Sequence, residues 1–111
     1  MSSFIGSWKT TRYSGNDPSN PESIVLTVTA DASPQALDGS YPRPGTDARL
    51  FGLLDATGTM WTAQIDERGS SEDLGNAIFF ISEDGTTLFG AWSSQQHNAG
   101  PQPWFGTRII S

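Results

Sequence analysis

The residues best equipped for chemistry are aromatic: Tyr41, Trp61, Trp92 and Trp104, with Thr10, Ser14, Arg43, Arg49 and His97 as polar company. An aromatic wall with a few convergent polar groups is the usual make-up of a small-ligand pocket. Arg43 and Arg49 would suit an anionic ligand group in a chain with few cations, while a pairing with nearby Asp47 is the plainer alternative. Trp61 serves a core or a ligand equally well. Trp104, between Pro103 and Phe105, suits a rim residue, a ligand platform or an interface anchor. His97 stands in Ser-Ser-Gln-Gln-His-Asn-Ala-Gly and reads as a solvated loop histidine. Acid–base chemistry would have to use Tyr41, His97 or loop carboxylates. Asp66-Glu67 and Glu72-Asp73 are paired as glycosidase carboxylates are, but they flank Gly69-Ser70-Ser71, where acidic residues serve solvation. A single histidine allows no two-histidine relay, and no glycine-rich phosphate loop opens a helix. No catalytic residue is assigned.

Composition narrows the field further. The 111 residues make one domain, 1–111, and their 12 glycines and 7 prolines favour short strands joined by turns over long helices. The absence of cysteine excludes a disulfide framework, a thiol nucleophile and a cysteine zinc site. With one histidine as well, no metal or other cofactor is expected. A net charge of −6, with Lys9 the one lysine, argues against nucleic acid or an anionic membrane as the main partner. No apolar run is long enough to span a bilayer, and Met-Ser-Ser-Phe-Ile lacks the basic and apolar regions of a signal peptide. The cytosol is slightly favoured, and a mature secreted chain is also compatible.

To position those side chains, period-two patterns predict eight strands, at about 4–13, 23–30, 36–42, 48–55, 59–66, 76–82, 86–93 and 104–110. Glu83-Asp84-Gly85 predicts a tight hairpin of type I′. Connections after the odd strands read as long, at 14–22, 43–47, 67–75 and 94–103, and those after the even strands as mostly short. In an up-and-down meander this gives one tight end and one open mouth. Five segments repeat bulky-x-Gly-x-bulky, centred on Gly6, Gly39, Gly52, Gly90 and Gly106. Glycine weakens a strand, so five such glycines point to sharp coiling of a small barrel or to room for a neighbouring ring. If the first and last strands pair antiparallel, Trp8 and Arg108 meet at the tight end, guanidinium over indole. The expected fold is therefore an all-β, eight-stranded antiparallel up-and-down barrel.

Gly6-Ser7-Trp8 with Arg108 resembles the opening and closing signature of the calycin superfamily, and the short strands are most similar to its avidin-like branch. The resemblance covers nearly the whole chain. It implies ligand contacts at Thr10, Ser14 and Tyr41 of Gly39-Ser40-Tyr41, and pocket walls at Trp61 and Trp92. The pattern departs from avidins at Ala77-Ile78-Phe79-Phe80, where polar and tryptophan contacts are expected, and at Thr107-Arg108, which lack an aspartate. A ligand other than biotin is therefore expected.

The leading functional expectation is a non-catalytic protein holding a small organic ligand in the barrel mouth. A carbohydrate-binding lectin using Trp104, and a small barrel isomerase or cyclase, are the alternatives. Ile78, Phe79, Phe80 and Ile81 place an apolar pair on each face of the sixth strand. The outward pair, Ile78 with Phe80 or Phe79 with Ile81, predicts a homo-oligomer, most simply a dimer.

Overall fold

Side chains two apart share one face of a strand, so a sheet with one buried face sorts a sequence into alternating classes. A computed structural model describes residues 3–13, 19, 21–31, 35–43, 46–67, 73–94 and 99–109, with backbone alone at 43, 46, 73, 94, 99 and 100. The strands are β1 (Gly6–Arg12), β2 (Glu22–Ala30), β3 (Ala36–Arg43), β4 (Thr46–Leu54), β5 (Met60–Glu67), β6 (Asp73–Ile81), β7 (Thr87–Ser94) and β8 (Ala99–Arg108). Each pairs antiparallel with its sequence neighbour, and β8 returns to β1 to close the barrel. This is the eight-stranded up-and-down barrel the period-two patterns predict, and it is compatible with a calycin-like fold. Among the described residues there is no helix long and apolar enough to cross a membrane.

The recurring five-residue pattern marks the inner wall. Phe4, Trp8, Leu37, Tyr41, Leu50, Leu88, Trp92 and Trp104 all sit in the core, and the glycines between them explain how the wall bends. A methyl group on Gly90 would run into the carbonyl oxygen of Ile78, and one on Gly52 into that of Thr62. There the backbones of neighbouring strands approach too closely for any side chain. Gly39 does the other job, since a Cβ there would stand 3.0 Å from the Trp61 ring.

Aromatic rings fill the barrel along its axis. Phe4 meets Trp61 at 6.1 Å between centroids, and Trp61 stacks on Phe79 at 5.8 Å. Phe79 meets Trp104 edge-to-face at 5.1 Å, and Trp104 meets Tyr41 likewise at 5.4 Å. The tight end is sealed by Arg108, whose register partner is Trp8. Its guanidinium lies 4.2 Å over the Trp8 ring and donates to the carbonyls of Gly85, Ile5 and Ser3. Trp8 in turn donates its indole N–H to the carbonyl of Phe4 at 2.9 Å.

Loop lengths differ from the expectation. The links after β2, β4 and β6 are five residues each, while those after the odd strands are nine, two, five and four. Strand pairing reaches into segments whose prolines and charges read as loop: Pro42 and Arg43 pair with Asp47 and Thr46, and Pro103 pairs with Ala91. The hairpin before β7 also begins one residue earlier than a type I′ turn on Asp84-Gly85. Gly85 donates to the Ser82 carbonyl at 2.9 Å and takes a φ of +76° at the end of the turn.

Asp84 ties this turn together by accepting from the Ser82 and Thr86 hydroxyls, each at 2.7 Å, and from the Thr86 N–H at 3.1 Å. These donors, the Ser82 hydroxyl first, hold its carboxyl down to about 2. A depressed carboxylate stabilises the folded state fully above its unfolded value of about 3.9, and that support is lost as pH falls toward the folded value. Amide exchange at Thr86 and Thr87 is therefore expected to accelerate, beyond its intrinsic pH dependence, as pH drops from about 4 to about 2. In Asp84→Asn that extra acceleration disappears; if it persists, Asp84 does not control the turn.

Candidate functional site

The ends of β1, β3, β5 and β7 and the starts of β2, β4, β6 and β8 converge at the mouth. At its floor lies a charge absent from the expected site. Arg12 continues the inward row of Trp8 and Thr10, so its side chain enters the barrel and only 2% of it is exposed. Its guanidinium carbon lies 4.3 Å from the Trp92 ring centroid, 5.0 Å from that of Trp104 and 5.5 Å from that of Tyr41. Nη1 donates to Glu67 Oε2 at 2.6 Å and to Tyr41 Oη at 3.2 Å. Nη2 donates to Glu22 Oε1 at 3.0 Å. Nε is buried with no hydrogen-bond partner among the described residues.

Register explains the meeting. Arg12 faces Glu22 directly across β1 and β2, and closure of the barrel brings Glu67, 55 residues away, to the same point. The Glu67 side chain is 13% exposed and that of Glu22 39%, so both carboxylates reach water at this end of the barrel. Burial opposes the charge on Arg12, but its contact with Tyr41 and the negative charges of Glu67 and Glu22 outweigh it and raise the guanidinium pKa above its ordinary value. Tyr41 donates to Glu67 Oε2 at 2.5 Å. Its burial first, then the adjacent Glu67 charge, push its pKa well above the phenol's ordinary value despite the opposing pull of Arg12. A phenol held protonated in this way donates a hydrogen bond and does not serve as a base at neutral pH.

The expected site residues whose side chains are described divide into three groups. Tyr41 and Trp92 come together at the floor, and Trp92, 8% exposed, donates its indole N–H to the Tyr13 carbonyl at 2.7 Å. Thr10 and Trp104 lie one layer deeper. Trp104 donates to the Thr10 hydroxyl at 2.9 Å, and that hydroxyl donates to the Ile24 carbonyl at 2.7 Å. Trp104 is thus in the core and not at the rim. Trp61 is also fully buried, toward the tight end, and its indole N–H has no partner among the described residues.

Arg49 stands apart on the outer wall, because Ala48 and Leu50 on either side face inward. It pairs with Asp38 at 3.0 and 3.1 Å and lies over the Phe51 ring at 5.0 Å. Hydrogen bonding to Asp38, then its charge, raises the Arg49 pKa. Ser14 and His97 lie outside the described residues, as does the side chain of Arg43. The described residues hold no cluster of histidine and carboxylate side chains fit for a metal ion.

Sequence reasoning missed Arg12 and Glu22, and weighed Glu67 only as a loop carboxylate. The signal for Arg12 was present, since an arginine two positions beyond Thr10 on the inward row must be buried and needs carboxylates. No protein-family model matches the chain, and comparison with curated proteins and with solved structures gave no match.

Proposed function

We propose that the protein is a non-catalytic binding protein whose loop-end mouth holds a small organic ligand over the floor of Arg12, Tyr41, Glu67 and Trp92. The observation that carries this function is the buried Arg12 itself. Apolar side chains would stabilise the floor as well or better, since burying an ion pair gives little net stability. A charge kept at one end of the barrel, bordered by partly exposed carboxylates, is therefore suited to recognition. Because the barrel is packed below that layer, the ligand sits in the mouth against Trp92 and does not enter the axis. The finer likeness to the avidin-like branch is supported by the Trp8–Arg108 closure and by Tyr41 and Trp92 at the mouth. The engagement of Tyr41 with Glu67 and Arg12 argues for a ligand other than biotin. Tryptophan fluorescence titrated with a panel of small aromatic metabolites, charged and neutral, tests the proposal. At least one compound is expected to quench, and Trp92→Phe to remove most of that response. The proposal fails if no compound quenches.

The partner proposed for the outer wall is a second copy of the chain. Phe79 faces inward and Phe80 outward, so the outer pair on β6 is Ile78 with Phe80. Phe80 stacks on Phe89 at 5.7 Å, Phe89 faces Phe105 in register, and Phe105 stacks on Tyr13 at 6.1 Å. With Ala91 and Pro103 this is an uncharged aromatic ridge on a chain of net charge −6, and the surface most compatible with it is another such ridge. Light scattering at micromolar concentration is expected to give twice the 11.9 kDa chain mass. Phe89→Glu is expected to give one chain mass. A wild type that scatters as a single chain rules the dimer out.

A further inference from the structure

We infer that the group recognised at the mouth is a carboxylate, taken by the Nε–Nη2 edge of Arg12 in exchange for Glu22. This rests on the ligand-binding function proposed for the mouth and names the chemistry of its ligand.

A guanidinium offers its Nε–H and one Nη2–H in parallel, spaced to match the two oxygens of a carboxylate. In Arg12 the other side is committed, because Nη1 meets both Glu67 and Tyr41. The Nε–Nη2 edge is half used. Glu22 Oε1 takes Nη2 at 3.0 Å, and Nε is left buried without a partner. A buried donor on a charged group carries a desolvation cost that a second acceptor oxygen would remove.

The two glutamates differ in how readily they can leave. Glu67 is 13% exposed and accepts from Arg12 and from Tyr41, so it is the fixed counter-ion. Glu22 is 39% exposed and stands at the start of β2, so it is the more solvated of the two carboxylates and the one a ligand carboxylate meets first. A ligand carboxylate that replaces it leaves the charge of the floor unchanged. A phosphate dianion would instead add a further negative charge beside Glu67 in a poorly solvated site, which disfavours it. Trp92, whose ring already covers one face of the guanidinium, is the wall for the apolar body behind the carboxylate. The ligand class is thus a small monocarboxylic acid with an apolar or aromatic body.

Calorimetric titration of the wild-type chain and of Glu22→Gln with benzoate and with its neutral isostere benzamide tests the inference. Glu22→Gln removes the competing anion at a partly exposed position, so the fold is retained. Benzoate is expected to bind both proteins, about tenfold more tightly to Glu22→Gln, with benzamide at least about tenfold weaker than benzoate in each. The inference is overturned if benzamide binds as well as benzoate, if Glu22→Gln leaves benzoate affinity unchanged, or if benzoate binds neither protein. A neutral compound quenching Trp92 fluorescence would then keep the ligand-binding function while the carboxylate falls. Silence across the whole panel removes both.

Discussion

Arg12→Ala is expected to lower the unfolding free energy by about 3–5 kcal/mol, the largest loss of any single polar side chain in the barrel. The loss comes chiefly from what is left behind. Glu67 would keep its position beside Tyr41, 13% exposed, without the cation it faces at 2.6 Å, and three aromatic rings would line a hole. Removing both members of the pair should hurt less than removing the arginine alone. Arg12→Leu with Glu67→Gln is therefore expected to recover at least about 1 kcal/mol of the loss in urea denaturation. Additive losses in the double variant would mean that the ion pair does not organise the floor.

Gly90→Ala is the second large effect, and its cause is backbone against backbone. The added methyl would collide with the Ile78 carbonyl, which is held in the β6–β7 ladder and cannot rotate away as a side chain would. Separating those strands should cost about 3 kcal/mol, the upper part of the range for overpacking. Gly58 provides the comparison. It adopts a φ of +73° in the β4–β5 turn but has open space around it, so alanine there costs only backbone strain, about 1 kcal/mol. Equal losses for Gly58→Ala and Gly90→Ala in the same denaturation series would refute the account of how the barrel bends.

Fold and site were legible to different degrees because they rest on different spans of sequence. The barrel is written in short-range patterns. Leu50, Leu88 and Trp104 each stand two residues from a glycine that lets neighbouring backbones close up, Leu37 stands two from the glycine that admits the Trp61 ring, and Trp8 with Arg108 marks the closure. The mouth was harder to read because proline and charge stand for loops in a sequence, whereas here Pro42, Arg43 and Pro103 still pair in strands. The site itself depends on closure. Nothing local links Arg12 to Glu67, and their contact exists only once eight strands have formed a ring. Arg49 shows that a local rule was available and decisive: Ala48 and Leu50 face inward, so the arginine between them faces out.

A ligand held at the mouth, as proposed, lies against Trp92, and the indole N–H resonances of the four tryptophans report its position residue by residue. Trp8 and Trp61 are fully buried toward the tight end, Trp104 lies one layer below the floor, and Trp92 borders the opening. In a nitrogen–proton correlation spectrum titrated with the aromatic panel, a binding compound is predicted to move the Trp92 resonance most. Trp104 should respond less, and Trp8 and Trp61 should stay in place. A binder that moves Trp8 or Trp61 while Trp92 stands still, or a panel that moves none of the four, would contradict the proposal.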